Sequence, residues 1–384
     1  MKRSTNNAKK RASATPSKPG LPADRGLLLS TFLLLGIGLI MVGSAGVAYG
    51  DVRFDDGYFF FKRQLIGAAI GLLCLFVFQR IPYVFWRKLA VPIFFGGVVL
   101  LVLVLIPDVG TTASGASRWI ALGPVSFQPS EVMKLALVIY FAAFFSGKGG
   151  MRRTDFFEGA LPFAALLGLI AFLLIKQPDA GTLGVMFLIA FSVFFASGAK
   201  LSHLGILLGA GLLGLVGLIA AAPYRMRRLL VFLDPEHDPS GAGYQMKQAL
   251  IALGSGGIFG VGLGHGRQKF LYLPEPMTDS IYAVIGEELG LVGCLVVVGL
   301  FVYFAVRGLH VAKSAPDRFG TLLAVGIVTW IVAQAFVNIF AITGLMPLTG
   351  IPLPLISYGG TSIAVTLAGI GILLNVSKGS TLKR

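Results

Sequence analysis

Four carboxylates, Glu275, Asp279, Glu287 and Glu288, stand within LYLPEPMTDSIYAVIGEELGL (residues 271–291), where a charged loop re-enters apolar sequence. An ionisable side chain at or just inside a membrane boundary costs on the order of 2.5 to 3.5 kcal/mol on insertion scales, so by default it marks a site. Such an acid has two uses. It pairs with a nearby Arg or Lys and only fixes a loop, or burial raises its pKa and suits it to take a proton from a substrate hydroxyl.

Cations that could serve either purpose lie in the neighbouring polar segments. Residues 223–279 carry Arg225, Arg227, Arg228, Lys247, Arg267 and Lys269, with Asp234, Glu236 and Asp238. Residues 108–136 carry Arg118 beside Trp119, then Gln128, Ser130, Glu131 and Lys134. Glu131 and Lys134 are three apart, so on a helix they share a face and can neutralise each other. The turn LIKQPDAGT (174–182) adds Lys176, Gln177 and Asp179, and GLMPLTGIPLPLISYGGTS (344–362) is uncharged but dense in Pro and Gly, implying broken or re-entrant helix ends. The stretch GSGGIFGVGLGHG (254–266) contains neither G-x-G-x-x-G nor G-x-x-x-x-G-K-[ST], which excludes a nucleotide-binding loop. Its glycines instead allow close backbone approach or sharp turns at membrane depth, or simply a flexible loop.

The elements that must position these groups are helices in lipid. At 55% hydrophobic residues, 13% charged residues and a mean hydropathy of +0.83 over 384 residues, the fold class is an all-α polytopic membrane protein. Ten apolar runs are long enough to span, near 27–48, 63–79, 87–106, 131–146, 158–175, 181–198, 202–222, 280–305, 319–344 and 359–376. Of the 32 Lys and Arg, 20 fall on the side of the termini, and 13 of the 17 acids fall on the other. Positive loops stay inside, so both termini are expected in the cytoplasm, with 223–279 as a large extracytoplasmic loop. The net charge of +15 then reflects topology and contact with anionic lipid rather than nucleic-acid binding. Residues 1–25 read as a disordered basic tail, 26–376 as the membrane domain and 377–384 as a short C-terminal tail. The run 27–48 is too long for the core of a cleaved signal and reads as a retained helix. Cys74 and Cys294 offer neither a disulfide framework nor a metal spacing.

Taken together, SRWIALGPVSFQPSEVMKLA, KQPDAGT, FLDPEHDPSGAGYQMKQALIALGSGGIFGVGLGHGRQKFLYLPEPMTDSIYAVIGEELG and TGLMPLTGIPLPLISYGGTS resemble the SEDS family of bacterial shape and division proteins, FtsW and RodA, in the same order and over residues 26–376. The resemblance implies a ten-helix membrane fold with cytoplasmic termini, in agreement with the charge count. It also implies a peptidoglycan glycosyltransferase that polymerises lipid II outside the cytoplasmic membrane beside a class B penicillin-binding protein and other division or elongation proteins. The family's essential acid, in the stretch LPE-x-x-TDFIFA, falls on Asp279, while Ser280 and Tyr282 stand where aromatic residues are usual. GEELGLVG (286–293) and the basic tail lean toward FtsW, and TGLMPLTGIPLP (343–354) toward RodA; the balance favours FtsW.

Joining two lipid-linked disaccharides requires a base for the acceptor's 4-hydroxyl and cations for the leaving diphosphate. Asp279 is the expected base. Arg118, Lys134, Arg225, Arg228, Lys247 and Lys269 are candidates for the diphosphate, with Glu275, Gln128 and Glu288 as further substrate-binding candidates; for each cation a structural ion pair is the competing expectation. Glu288, nine residues past Asp279, would orient the loop from within its helix. A divalent cation, Mg2+ or Mn2+, bridging the diphosphate is chemically sensible, although no ligand cluster identifies one. Two rival readings are a lipid II flippase, which would place ionisable residues near the bilayer midplane, and a non-catalytic scaffold, which would make Asp279 dispensable.

Overall fold

A computed structural model describes residues 23–107, 109–113, 116–122, 125–147, 155–220 and 223–379; the expected tail at 1–22 and the last residues, 380–384, lie outside the described residues. Each of the ten apolar runs is helical. In chain order the elements begin with α1 (Arg25–Ala45), α2 (Val47–Phe54), α3 (Phe59–Arg80), α4 (Tyr83–Lys88) and α5 (Ala90–Leu103). A small antiparallel sheet follows, β1 (Gly110–Ala113), β2 (Ala116–Leu122) and β3 (Val125–Phe127), in the order β1-β2-β3 with Thr111 opposite Trp119 and Ile120 opposite Phe127. Then come α6 (Pro129–Phe145), α7 (Leu161–Lys176, entered through a π-helical turn at Phe156–Ala160), α8 (Ala180–Ala196) and α9 (Leu201–Ala220). The chain closes with α10 (Pro223–Leu233), α11 (Ala242–Ser255), α12 (Ile281–Ser314), α13 (Arg318–Ile342) and α14 (Gly360–Lys378). By length and composition seven of the described helices can cross a membrane, while α5, α6 and α8 are shorter at 14, 17 and 17 residues.

The core lies where α6, α13 and α14 meet, and all three are buried along most of their length. Because lipid offers no hydrophobic drive between helices, close packing must come from small residues. A Cβ on Gly67 of α3 would sit 2.7 Å from the Cα of Gly360 in α14, so side chains larger than hydrogen would push these helices apart. By contrast α9 has no buried residue and lies at the bundle's edge. Helix starts are capped by acids: Asp24 accepts from Leu27 N (2.9 Å), Asp179 from Thr182 N (3.3 Å) and Asp317 from Gly320 N (2.7 Å), each satisfying an N–H that the helix leaves without a partner.

The segment expected as one large loop, 223–279, is instead two helices, a 3-10 turn at Pro235–His237 and a re-entrant stretch. After α11 the chain turns back along the head of α12. Val261 and Gly262 donate to the carbonyls of Glu287 and Glu288 (3.0 and 3.1 Å), and Leu291 and Val292 donate to Gly257 and Ile258 (2.9 and 3.1 Å). The helix is interrupted at Gly290, whose φ is +67°. This exchange pairs the backbone groups that the break leaves without helical partners: the carbonyls of Glu287 and Glu288 accept from Val261 and Gly262. A Cβ on Gly290 would lie 2.3 Å from the Gly260 nitrogen. Gly290→Ala is therefore expected to lower thermal stability in detergent by at least the roughly 1 to 3 kcal/mol of left-handed backbone strain, and an unchanged melting curve would show that the break does not depend on glycine.

Candidate active site

Asp279 occupies the last turn before α12, outside the membrane-spanning helix, and its main chain is held from two sides. Asn338 Nδ2 of α13 donates to the Asp279 carbonyl (2.8 Å) and also to the Ile351 carbonyl (2.8 Å). One residue earlier, the Thr278 carbonyl accepts from the Ser357 hydroxyl, and Tyr358 N donates to Met277 O (2.8 Å). The acid-bearing turn and the uncharged 345–359 segment are thus fastened into one floor. Gln64 of α3 reinforces it, its amide donating to Ser357 O (3.0 Å) and accepting from Gly359 N (3.1 Å).

The Asp279 carboxylate itself meets no cation at ion-pair distance among the described residues. Gln245 of α11 donates from Nε2 to Asp279 Oδ2 (3.2 Å), and the Thr278 hydroxyl lies 3.3 Å from Oδ1 and 3.0 Å from Glu275 Oε2. Burial, and then the negative charge of Glu275, push the Asp279 pKa up to about 6 against the lowering effect of the Gln245 and Thr278 hydrogen bonds. Glu275 is exposed and sits at φ +47°. On its other side its charge reaches Tyr49 of α2, whose hydroxyl is raised by burial first and by Glu275 second.

One cation flanks this carboxylate. Arg228 of α10 donates from Nη1 to the Leu348 carbonyl (3.1 Å). A Cβ built on Gly350 would be 3.9 Å from Asp279 Oδ2 and 4.0 Å from Arg228 Nη1, so the two charges are within about 8 Å of each other and both border the space that a side chain at this φ +70° glycine would enter. A general base beside a guanidinium that can grip phosphate through forked hydrogen bonds is the arrangement that transfer from a diphosphate requires.

The remaining cations serve the protein's own acceptors. Lys269 is buried and meets Glu288 Oε1 (2.6 Å), Ser44 Oγ (2.7 Å) and the Gly264 carbonyl (2.8 Å), which occupies all three ammonium protons. Lys134 is likewise buried, bound to Glu131 Oε1 (2.6 Å) and Gln334 Oε1 (2.7 Å) and stacked toward Trp330. The ion-pair alternative weighed for both lysines is the one the structure shows, and diphosphate contact through either would require breaking a buried pair. Arg118 donates to the carbonyls of Gln177 (3.3 Å) and Pro178, and Arg225 donates to Leu218 O at the end of α9 (2.9 Å). Lys247 is exposed two residues beyond Gln245, hence on a different face of α11 from the amide that touches Asp279. Gln128 precedes α6 and its main-chain N–H reaches the Thr361 hydroxyl (3.4 Å), away from the acid. Glu288 takes the loop-orienting role, accepting also from Gly264 N (3.1 Å), while Glu287 accepts from the N–H groups of Arg267 (2.7 Å) and Gln268 (3.2 Å).

Of the candidates, then, Asp279, Glu275 and Arg228 come together. Gln245, Thr278, Asn338 and Ser357 carry no formal charge and are not among the residues expected from the sequence. Asn338 carried a readable signal, one of two amides, with Gln334, deep in the apolar run 319–344. No three His, Cys, Asp or Glu side chains form a metal-binding cluster among the described residues.

A polytopic helical bundle that carries a single raised-pKa acid beside a cation at one end is an enzyme-like membrane protein rather than a plain anchor. The chain belongs to the FtsW/RodA/SpoVE family: the family model, described as a cell cycle protein, matches residues 25–382. Stage V sporulation protein E of Bacillus subtilis strain 168 is 47% identical over 358 residues, 92% of this chain and 96% of that one. The probable peptidoglycan glycosyltransferase FtsW of Geobacter sp. strain M18 is 43% identical over 354 residues, covering 91% and 95%. A chain from the solved structure described as "Structural coordination of polymerization and crosslinking by a peptidoglycan synthase complex" superposes with a TM-score of 0.77 at 31% identity, over 93% of this chain and 98% of that one.

If the Lys269 pair is structural, Lys269→Met should cost about 3 to 5 kcal/mol by leaving Glu288 buried and charged. The double variant Lys269→Met/Glu288→Gln should recover much of that loss in a detergent melt. A stable Lys269→Met protein that no longer uses its substrate would instead return Lys269 to the phosphate-binding set.

Proposed function

We propose that this chain is a peptidoglycan glycosyltransferase that polymerises lipid II at the outer face of the cytoplasmic membrane during division or elongation, with Asp279 as general base. The observation that carries this reading is the Asp279 carboxylate itself: partly exposed, raised to about 6, held by neutral donors and flanked by Arg228 across Gly350. In the reaction Asp279 takes the proton of the acceptor sugar's 4-hydroxyl. The oxygen's electron pair forms the new bond to the donor's anomeric carbon, and the bond to the diphosphate breaks with its electrons leaving on the polyprenyl diphosphate. Arg228 is placed to meet the charge that develops there. An α-linked donor then yields a β-linked polymer by one inverting displacement. Both termini are assigned to the cytoplasm on the charge asymmetry of the loops.

A base works only when deprotonated, so kcat/KM should fall about tenfold per unit below pH 6 and level off above it. Glu275→Gln removes a like charge and should move this limb to lower pH. Asp279→Asn should reduce synthesis of glycan from lipid II by a factor of about 10² to 10⁴. The stability change has the opposite sign. A carboxyl with a raised folded pKa binds its proton more tightly in the folded state, so the ionised group weakens the fold as pH rises through about 6, and at pH 7 the Asn variant should melt no lower than wild type. Near wild-type glycan synthesis by Asp279→Asn would sink the catalytic assignment and favour the scaffold or flippase.

The partner would be a class B penicillin-binding protein with a single membrane span, supplying the transpeptidation that a membrane-embedded polymerase does not perform on its own product. Co-expression should yield a complex stable through purification, with glycan synthesis from lipid II higher than that of the isolated chain. Equal activity with and without the transpeptidase would refute a productive partnership.

A further inference from the structure

The amide that touches the base stands out because it joins three features: α11, the catalytic carboxylate and the one position beside it where this chain departs from the usual aromatic residue. Gln245 Nε2 lies 3.2 Å from Asp279 Oδ2 and 3.1 Å from Ser280 Oγ. An amide nitrogen has two protons, and this geometry directs one to each oxygen. Ser280 is fully buried, and the carbonyl of Asp279 is fixed by Asn338, so the serine hydroxyl is a stationary second anchor for the amide. An aromatic residue at 280 would offer no such acceptor.

We infer that Gln245 is a positioning residue for Asp279, clamped by Ser280 so that its amide holds Oδ2 and leaves the carboxylate's orientation, and its ionised form, set by α11. The inference rests on the reading of Asp279 as the base. The charged and titratable groups facing that carboxylate are Glu275 on its own turn and Arg228 of α10 across Gly350, while Tyr49 of α2 faces Glu275. The α13 and 345–359 elements contribute an amide, hydroxyls and carbonyls at this point rather than charge. With Glu275 and burial both favouring the protonated acid, a hydrogen-bond donor from α11 opposes them directly. Because α11 continues from the 223–241 segment, a movement of that segment would reach the base through this hydrogen bond as well as through Arg228.

The test is kcat/KM for lipid II polymerisation between pH 5 and 8, with the full chain and its transpeptidase. Gln245→Ala should lose about tenfold to a hundredfold in turnover, as expected for one hydrogen bond to a charged group. Its acid limb should also rise by about one unit. Gln245→Glu keeps the length and packing but replaces the donor with a carboxylate, so its limb should rise further. A purely structural glutamine would lower activity or yield without moving the limb. A wild-type limb in the Glu variant, or the failure of both variants to assemble in the membrane, overturns the inference. Failure of the underlying base reading is seen separately, as wild-type synthesis by Asp279→Asn.

Discussion

A charge that leaves water inside this bundle must find its partner within the chain, and the acids at the head of α12 show how much structure that requires. Glu287 and Glu288 are both buried, where an uncompensated carboxylate would cost several kcal/mol. The re-entrant stretch satisfies them with the main-chain N–H groups of Gly264, Arg267 and Gln268 and with the Lys269 ammonium. Satisfying them also dictates its path: the backbone must pass close enough to donate, so glycines occupy the contacts and α12 breaks at Gly290. Nine residues upstream of this break, the same helix begins directly after Ser280. The buried ion pair of Lys269 and Glu288 and the position of Asp279 are therefore consequences of one folding problem.

Asp279 differs from most of the other interior acids. Asp24, Glu131 and Glu288 each meet a cation at 2.6 Å and Glu287 is met by main-chain N–H groups, whereas Asp279, like the helix-capping Asp179, is held by neutral groups that include a side-chain hydroxyl. A cation at 2.6 Å would depress the acid's pKa and make it a poorer base, and complete burial without donors would keep it protonated at working pH. Amides fall between these limits. Perturbed acids of this kind cluster at functional sites because structural requirements alone favour neutralisation.

The membrane architecture was legible in the sequence because its signal is additive: each apolar run is helical in the structure, with most boundaries displaced by only a few residues, although the helix from Ile281 continues to Ser314, nine residues past the expected end at 305. Asp279 is singled out in the sequence by motif and by the cost of placing an acid there. What could not be read was the division of labour among the cations. Lys134 and Lys269 look like Arg228 on a list of charges, and only the fold shows that Glu131, three residues away, and Glu288, nineteen away, have already engaged the two lysines. The re-entrant course of 256–280 was hidden for a related reason. It arises from hydrogen bonds to the carbonyls of α12, and backbone acceptors have no signature in side-chain composition. The strands at 110–127 have no comparable signal because they are only 4, 7 and 3 residues long.

The placement of Gly350 follows from the same conflict between base and cation. The reaction needs positive charge where the diphosphate departs and an unpaired carboxylate where the hydroxyl is deprotonated, yet the two centres are neighbours along the reacting sugar. Tying the guanidinium to the Leu348 carbonyl directs one of its nitrogens away from the acid. The backbone of Gly350, in a left-handed conformation and without a side chain, keeps the space between them open. Any larger residue there would either be strained or fill the position that the substrate must enter. On the proposed reading, a proton acceptor and a pyrophosphate-binding cation thus lie within about 8 Å of each other, both bordering the open side of Gly350.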